Sequence, residues 1–190
     1  LHDALPIFCI GGPGATNAVT ALGAALTDES PVLLVTGQVP TDWEGRGGFQ
    51  DSSAAAFNDV EILRSITSQE FVVEDPRLLK FDLNRLLTKM LCYPRKPGRL
   101  VLPANIQETE VNFEYEKLNQ GLYFPRPLDI EACVCFWHLA KRAGRIAILA
   151  GAGIEKSRAS EELIKFAEAF EIPVATTLRA KGVFPEDHRL

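Results

Sequence analysis

Residues Gly11-Gly12-Pro13-Gly14-Ala15-Thr16-Asn17 open an Ala-rich helical stretch, which leads into the apolar run Val32-Leu33-Leu34-Val35-Thr36-Gly37. A glycine turn, a helix and a buried strand in that order make one α/β unit, and this constrains the fold more than any bulk property. Gly12 and Gly14 lack a Cβ, so the backbone there turns tightly and lets a ligand approach closely. Pro13 fixes φ inside the turn. Thr16 or Asn17 is expected to cap the helix that follows, whose first N–H groups would otherwise be unpaired. The spacing reads G-x-G-x-x-N and lacks the third glycine of the dinucleotide fingerprint. On spacing alone, a cofactor turn and a plain structural turn both stand.

The rest of the chain keeps the same alternation. Residues 16–26 are apolar on most faces, as suits a helix buried against a sheet. Residues 32–36 are apolar without alternation and read as a parallel strand covered on both sides. A loop over 38–56 and a short helix within 57–65 precede a strand over 70–73. Pro76 then opens a helix that carries Leu79, Leu83, Leu86, Leu87 and Met90 at helical spacing. Residues 99–102 read as the last strand of this half. Residues 104–128 include Pro125 and Pro127 and read as a linker. Asp129 is expected to cap a helix whose Ile130, Val134, Trp137 and Leu139 pack inward. A strand over 146–150, a glycine turn at 151–153, a helix over 158–170 and a strand over 173–177 complete a βαβ unit. The predicted fold class is therefore α/β: two incomplete open parallel-sheet units, Rossmann-like and three-layered, spanning 8–103 and 129–190 and joined by the 104–128 linker.

Bulk properties narrow the function classes. A net charge of −5, with Lys and Arg scattered along the 190 residues, argues against a nucleic-acid partner. No apolar run reaches the length of a membrane span. The four cysteines have no zinc spacing, and Cys133 and Cys135 read as small apolar residues of a helix. A reduced, cytoplasmic setting is expected. Residues 1–7 show no charged segment before an apolar core, so they do not read as a signal peptide. They are read either as a non-native leader or as a native strand end running into Cys9-Ile10.

Three ordered blocks carry a family resemblance. They are Gly12-Pro-Gly-Ala-Thr-Asn17 with Leu26-Thr-Asp-Glu-Ser-Pro-Val-Leu-Leu-Val-Thr-Gly-Gln-Val-Pro40, then Gly47-Gly-Phe-Gln-Asp51, then Arg145-Ile-Ala-Ile-Leu-Ala-Gly-Ala-Gly-Ile154 with Ile172-Pro-Val-Ala-Thr-Thr-Leu178. Together they resemble the thiamine-diphosphate-dependent enzymes of the acetolactate synthase type, over residues 9–190. The first two blocks look like part of that family's pyrimidine-binding domain, and the third looks like the opening of its central domain.

The resemblance implies roles for particular residues. Gly12, Pro13, Gly14 and Asn17 match positions at the cofactor's aminopyrimidine ring; for Asn17, a helix cap is the alternative. Gln50 matches a catalytic glutamine near the reacting carbons, and Phe49 matches an aromatic that lines the substrate pocket. Loops carry such roles when a rigid sheet positions them. The implied cofactor is thiamine diphosphate with Mg²⁺. No metal ligand is assigned here, because the family's Gly-Asp-Gly metal motif and its ring-protonating glutamate match nothing in these 190 residues, which are expected to be inactive alone.

FAD is a further possibility at Gly151-Ala-Gly153-Ile-Glu-Lys156, where a plain strand-to-helix turn is the alternative. Two features weaken it: no acidic residue closes the next strand, and the run Arg95-Lys96-Pro97-Gly98-Arg99 is two residues short before Pro103. The implied activity is decarboxylation of a 2-keto acid with transfer of the acyl unit to an acceptor, by a homodimer or homotetramer. The alternatives are a simple decarboxylase or lyase acting on a 2-keto acid or an acyl-CoA, and a non-catalytic paralogue that serves as a binding module.

Overall fold

The computed structural model describes residues 5–112 and 128–190. Residues 1–4 of the leader reading and 113–127 of the linker reading lie outside the described residues. The chain divides into two compact units, Leu1–Tyr123 and Phe124–Leu190.

In the first unit, β1 (Leu5–Cys9), β2 (Val32–Gln38), β3 (Glu70–Val72) and β4 (Gly98–Pro103) form one parallel sheet in the order β1-β2-β4-β3. β1 includes Leu5, Pro6 and Ile7, with Cys9 opposite Thr36. β2 sits between β1 and β4, and its residues 33–36 are buried, as expected of an apolar strand covered on both faces. Gln38 stands opposite Pro103, and Leu34 opposite Arg99.

Helices cover both faces. On one side, α4 (Leu79–Leu91) places Leu86, Leu87 and Met90 against Leu33, Val35 and Leu100. Its first turn follows a short 3₁₀ turn, Pro76–Leu78, capped by Asp75, whose Oδ1 accepts the Arg77 N–H at 2.9 Å. On the other side lie α1 (Pro13–Asn17), α2 (Val19–Thr27) and α3 (Asp59–Leu63), with Ala15, Leu22 and Leu63 packed around Leu34. Alternate residues of β2 thus feed two cores, the pattern of a three-layer unit. α5 (Ala104–Gln107) is a single turn directly after β4, inside the stretch read from sequence as linker.

The helix expected over 16–26 starts earlier and breaks once. Gly12 is the N-cap, without a side-chain cap bond, and Thr16 and Asn17 lie inside α1. Pro13 at the first helical position already has a helical φ and no N–H to satisfy, so the helix begins there and needs no Thr or Asn cap.

In the second unit, β5 (Ile148–Ala150) and β6 (Val174–Thr176) pair in parallel. α7 (Gly153–Lys156) and α8 (Ser160–Phe170) connect them, and Leu163 and Ala167 pack with Ala150, Val183 and Phe184. α6 (Ile130–Arg142) is capped as expected, with Asp129 Oδ1 accepting the Ala132 N–H at 2.9 Å.

Its apolar face does not pack inward, however. Ile130, Val134 and Leu139 are exposed, as are Cys133 and Cys135. Trp137 is 37% exposed and meets Phe170 edge-on at 5.1 Å. The physical reason is that two short strands offer little sheet surface, and α8 occupies it.

Candidate functional site

The predicted site residues lie on the turn and short helix α1 that follow β1, and on the loop that leaves the carboxyl end of β2. In open α/β sheets this edge is where ligands bind. The first loop is the Gly11–Gly14 turn into α1; the second runs from Gln38 to Ser53.

Polar contacts build the second loop from the end of β2. The Gln38 Oε1 accepts N–H bonds from Val39 at 2.9 Å and Ser52 at 3.2 Å, while its Nε2 donates to Ser52 Oγ at 3.1 Å. Asp51 ties the loop's interior, accepting the Gly45 N–H through Oδ2 at 2.7 Å and the Ser53 N–H through Oδ1 at 3.0 Å. Burial acts to raise the Asp51 carboxyl, but hydrogen bonding from Ser53 and Gly45 together outweighs it and holds the group below its ordinary value. Gln50 sits between the two anchors with φ +58°, a backbone setting that costs a non-glycine residue energy. Phe49, beside it, is 88% exposed.

The first loop packs against this one. A Cβ on Gly12 would lie 3.8 Å from the Gln50 carbonyl oxygen and 3.8 Å from Ser52 Cβ, so the two loops stand within one side-chain atom of each other. Gly12 has φ +61°, which glycine adopts without strain. The absent side chain of Gly14 faces Ile10 and Cys9, leaving α1 close on the end of β1. The glycines therefore serve contacts within the protein. What the turn presents outward is Pro13 and Asn17, both exposed. Gly12 is thus brought beside Gln50, while Gly14 packs back on the end of β1; Pro13 and Asn17 are exposed on α1, and Phe49 is exposed on the second loop.

Sequence reasoning missed the group beneath these loops. Arg99, from β4, is fully buried, and so is Asp59, the first residue of α3. Arg99 Nη2 lies 2.8 Å from Asp59 Oδ2, its Nη1 donates to Glu70 Oε1 at 2.7 Å, and its Nε donates to Thr36 Oγ1 at 3.0 Å. Asp59 Oδ2 also accepts the Gly12 N–H at 2.9 Å. Burial pushes the Glu70 carboxyl up to about 7 despite the neighbouring guanidinium. A protonated Glu70 leaves one cation facing one anion, which is the less costly buried arrangement. Its Oε2 and Asp59 Oδ1 have no hydrogen-bond partner.

Among the described residues no cluster of three His, Cys, Asp or Glu side chains could hold a metal ion, and no helix is long and apolar enough to cross a membrane. His188 pairs with Glu168 on the surface, Nε2 to Oε1 at 3.1 Å.

The two loops with β1 and β2, and most of the second unit, fall within known sequence families. Residues 6–57 match the thiamine pyrophosphate enzyme N-terminal TPP binding domain, and residues 136–190 match the thiamine pyrophosphate enzyme central domain. The chain belongs to the thiamine pyrophosphate enzymes.

Within that family it is 36% identical over 187 residues to the probable acetolactate synthase large subunit of Methanocaldococcus jannaschii, covering 94% of this chain and 30% of the relative. It is 34% identical over 188 residues to the acetolactate synthase large subunit of Corynebacterium glutamicum, covering 94% of this chain and 28% of the relative. The chloroplastic acetolactate synthase 2 of Nicotiana tabacum is 32% identical over 198 residues, covering 97% and 28%. The chain thus spans about 30% of the length of the M. jannaschii relative.

Proposed function

We propose that the protein carrying this chain is a thiamine-diphosphate-dependent carboligase of the acetolactate synthase type, acting on a 2-keto acid. The observation that supports this reading is the locked pair of loops at the carboxyl edge of the sheet, with Gly12 against Gln50 and Ser52.

The surface they present fits one end of the cofactor. Pro13, Asn17, Phe49 and Gln50 are uncharged, as suits a flat heteroaromatic ring with polar edges; they do not match a diphosphate. Pro13 gives the ring an apolar rest, and the Asn17 amide gives its edge a hydrogen bond. The bound cofactor supplies an electron sink for decarboxylation. Gln50 orients the reacting atoms, and Phe49 excludes water from them. The diphosphate and its Mg²⁺ are held by residues outside this set. The exposure of Pro13, Asn17 and Phe49 supports a site completed by a second subunit, in a homodimer or homotetramer.

A flavin dinucleotide fits less well. Gly151 and Gly153 leave open space beside the turn after β5, but β6 ends at Thr176 and is followed by Thr177, with no carboxylate for a ribose. No step is assigned to a flavin.

The test is to purify the full-length protein and supply pyruvate as the probe 2-keto acid, with and without thiamine diphosphate and Mg²⁺. Cofactor-dependent release of CO₂ together with a joined product supports the proposal. Release of CO₂ without a joined product indicates a simple decarboxylase or lyase. Absence of both release and cofactor binding indicates a non-catalytic module.

A further inference from the structure

We propose that Asp59, held in place by Arg99, is the positioning residue that sets the Gly12–Asn17 turn against the Gln50 loop for cofactor binding. The proposal rests on the thiamine-diphosphate reading above. Three observations carry it.

Asp59 is bonded to both site loops at once. Its Oδ2 accepts the Gly12 N–H at 2.9 Å, and its own backbone N–H donates to the Ser52 carbonyl at 3.2 Å. Ser52 is in turn the residue that Gln38 clamps from the end of β2. Moving Asp59 therefore moves the Gly12 amide and the base of the Gln50 loop together.

Arg99 fixes where Asp59 stands. Its guanidinium is completely buried and spans three elements, reaching Thr36 on β2, Glu70 on β3 and Asp59 on α3. A planar fork bonded on several sides cannot rotate without breaking contacts, so it transmits the sheet's geometry to the carboxylate.

The arrangement is a poor device for stability alone. Buried ion clusters repay their desolvation only with excellent geometry and full hydrogen bonding. Here Asp59 Oδ1, Glu70 Oε2 and Arg99 Nη2 are all without a hydrogen-bond partner, Nη2 meeting Asp59 as an ion pair alone. A cluster kept despite that cost makes sense where it fixes the direction of the Gly12 amide, and with it the start of α1 that presents Pro13 and Asn17.

The experiment uses the full-length protein with Asp59→Asn, alongside Asp75→Asn as a remote control in a surface cap. The readouts are the thiamine diphosphate concentration that gives half-maximal turnover, kcat at saturating cofactor, and hydrogen exchange at the Gly12 amide. Losing a charge-assisted bond should raise the half-saturating concentration about tenfold and speed Gly12 exchange by about the same factor. Saturating cofactor should restore kcat to within about twofold, since the bond acts on positioning and not on the reacting atoms.

Unchanged half-saturation and unchanged exchange overturn the proposal. So does a fall in kcat that cofactor does not restore, which marks a merely structural role. If Asp59→Asn does not fold, Arg99→Lys takes its place: it keeps the charge, loses the fork, and must shift half-saturation in the same direction. Absence of thiamine diphosphate binding by the unaltered protein overturns the functional reading and this proposal with it. Normal binding with no response to the variants overturns this proposal alone.

Discussion

A Cβ on Gly11 would stand 2.5 Å from the carbonyl oxygen of Gly37 and 2.7 Å from Ser52 Oγ. Side chains do not approach a backbone oxygen that closely, so the turn after β1 seats on the end of β2 only with glycine at this position. Gly11→Ala should therefore lower the stability of the chain by about 1–3 kcal/mol, the usual range for forcing extra carbon into a packed site. Gly151 is the contrast, with open space around it and an ordinary φ, and Gly151→Ala should stay within about 0.5 kcal/mol of the parent. Urea unfolding of both variants checks this; equal effects would mean that Gly11 is not tightly seated.

Glu70 predicts a pH dependence. Its carboxyl rises from 4.5 to about 7 on folding, so the folded chain binds more protons than the unfolded chain between those values. Stability then falls as pH rises through that window, is unpenalised by Glu70 below it, and carries the full penalty above it. Glu70→Gln keeps an acceptor for Arg99 and removes the titration. Thermal melts at pH 5 and pH 8 should show a smaller drop for Glu70→Gln than for the parent, and parallel drops would refute the assignment.

Asn17 and Gln50 should separate binding from turnover. In the full-length protein, Asn17→Ala should weaken thiamine diphosphate binding by roughly 0.5–1.5 kcal/mol, one ordinary hydrogen bond. Gln50→Ala should lower kcat more than it weakens the cofactor, because misplacement near reacting atoms is felt in the rate. Titration calorimetry and steady-state kinetics read the two effects; a reversed pattern would exchange the two roles.

The 190-residue chain by itself should show no carboligase or decarboxylase turnover and no measurable thiamine diphosphate affinity. The contacts offered by Pro13 and Asn17 are neutral and few, worth only a few kcal/mol before the entropy of association is subtracted. Calorimetric titration with cofactor and Mg²⁺ checks it. Micromolar binding would show that these residues hold more of the cofactor than its ring.

What the sequence revealed and what it hid divide along a physical line. β2, β3 and β4 were legible within a residue or two, because Val32–Gln38, Glu70–Val72 and Gly98–Pro103 are short runs, mostly apolar, bounded by turn residues. The Gln50 loop stood out as a candidate only through its resemblance to a family motif. The Asp59–Arg99–Glu70 cluster was not, because its members sit on a helix start and two strands. The parallel pairing that sets Glu70 opposite Arg99 brings two of them together. The outward face of α6 was missed for another reason: periodicity reveals which side of a helix is apolar but not which surface covers it.

The parallel pairing of β1, β2 and β4 has one further consequence. Both site loops hang from strand ends whose relative height is counted in residues, with Cys9 level with Thr36 and Gln38 level with Pro103. One residue added inside β2 would lift its loop by about 3.3 Å relative to the glycine turn and turn every later side chain to the opposite face. The interiors of these strands are thus a ruler for the site. Length changes should be tolerated in the tips of the loops, and sites related to this one should differ there while keeping the residue count of the strands unchanged.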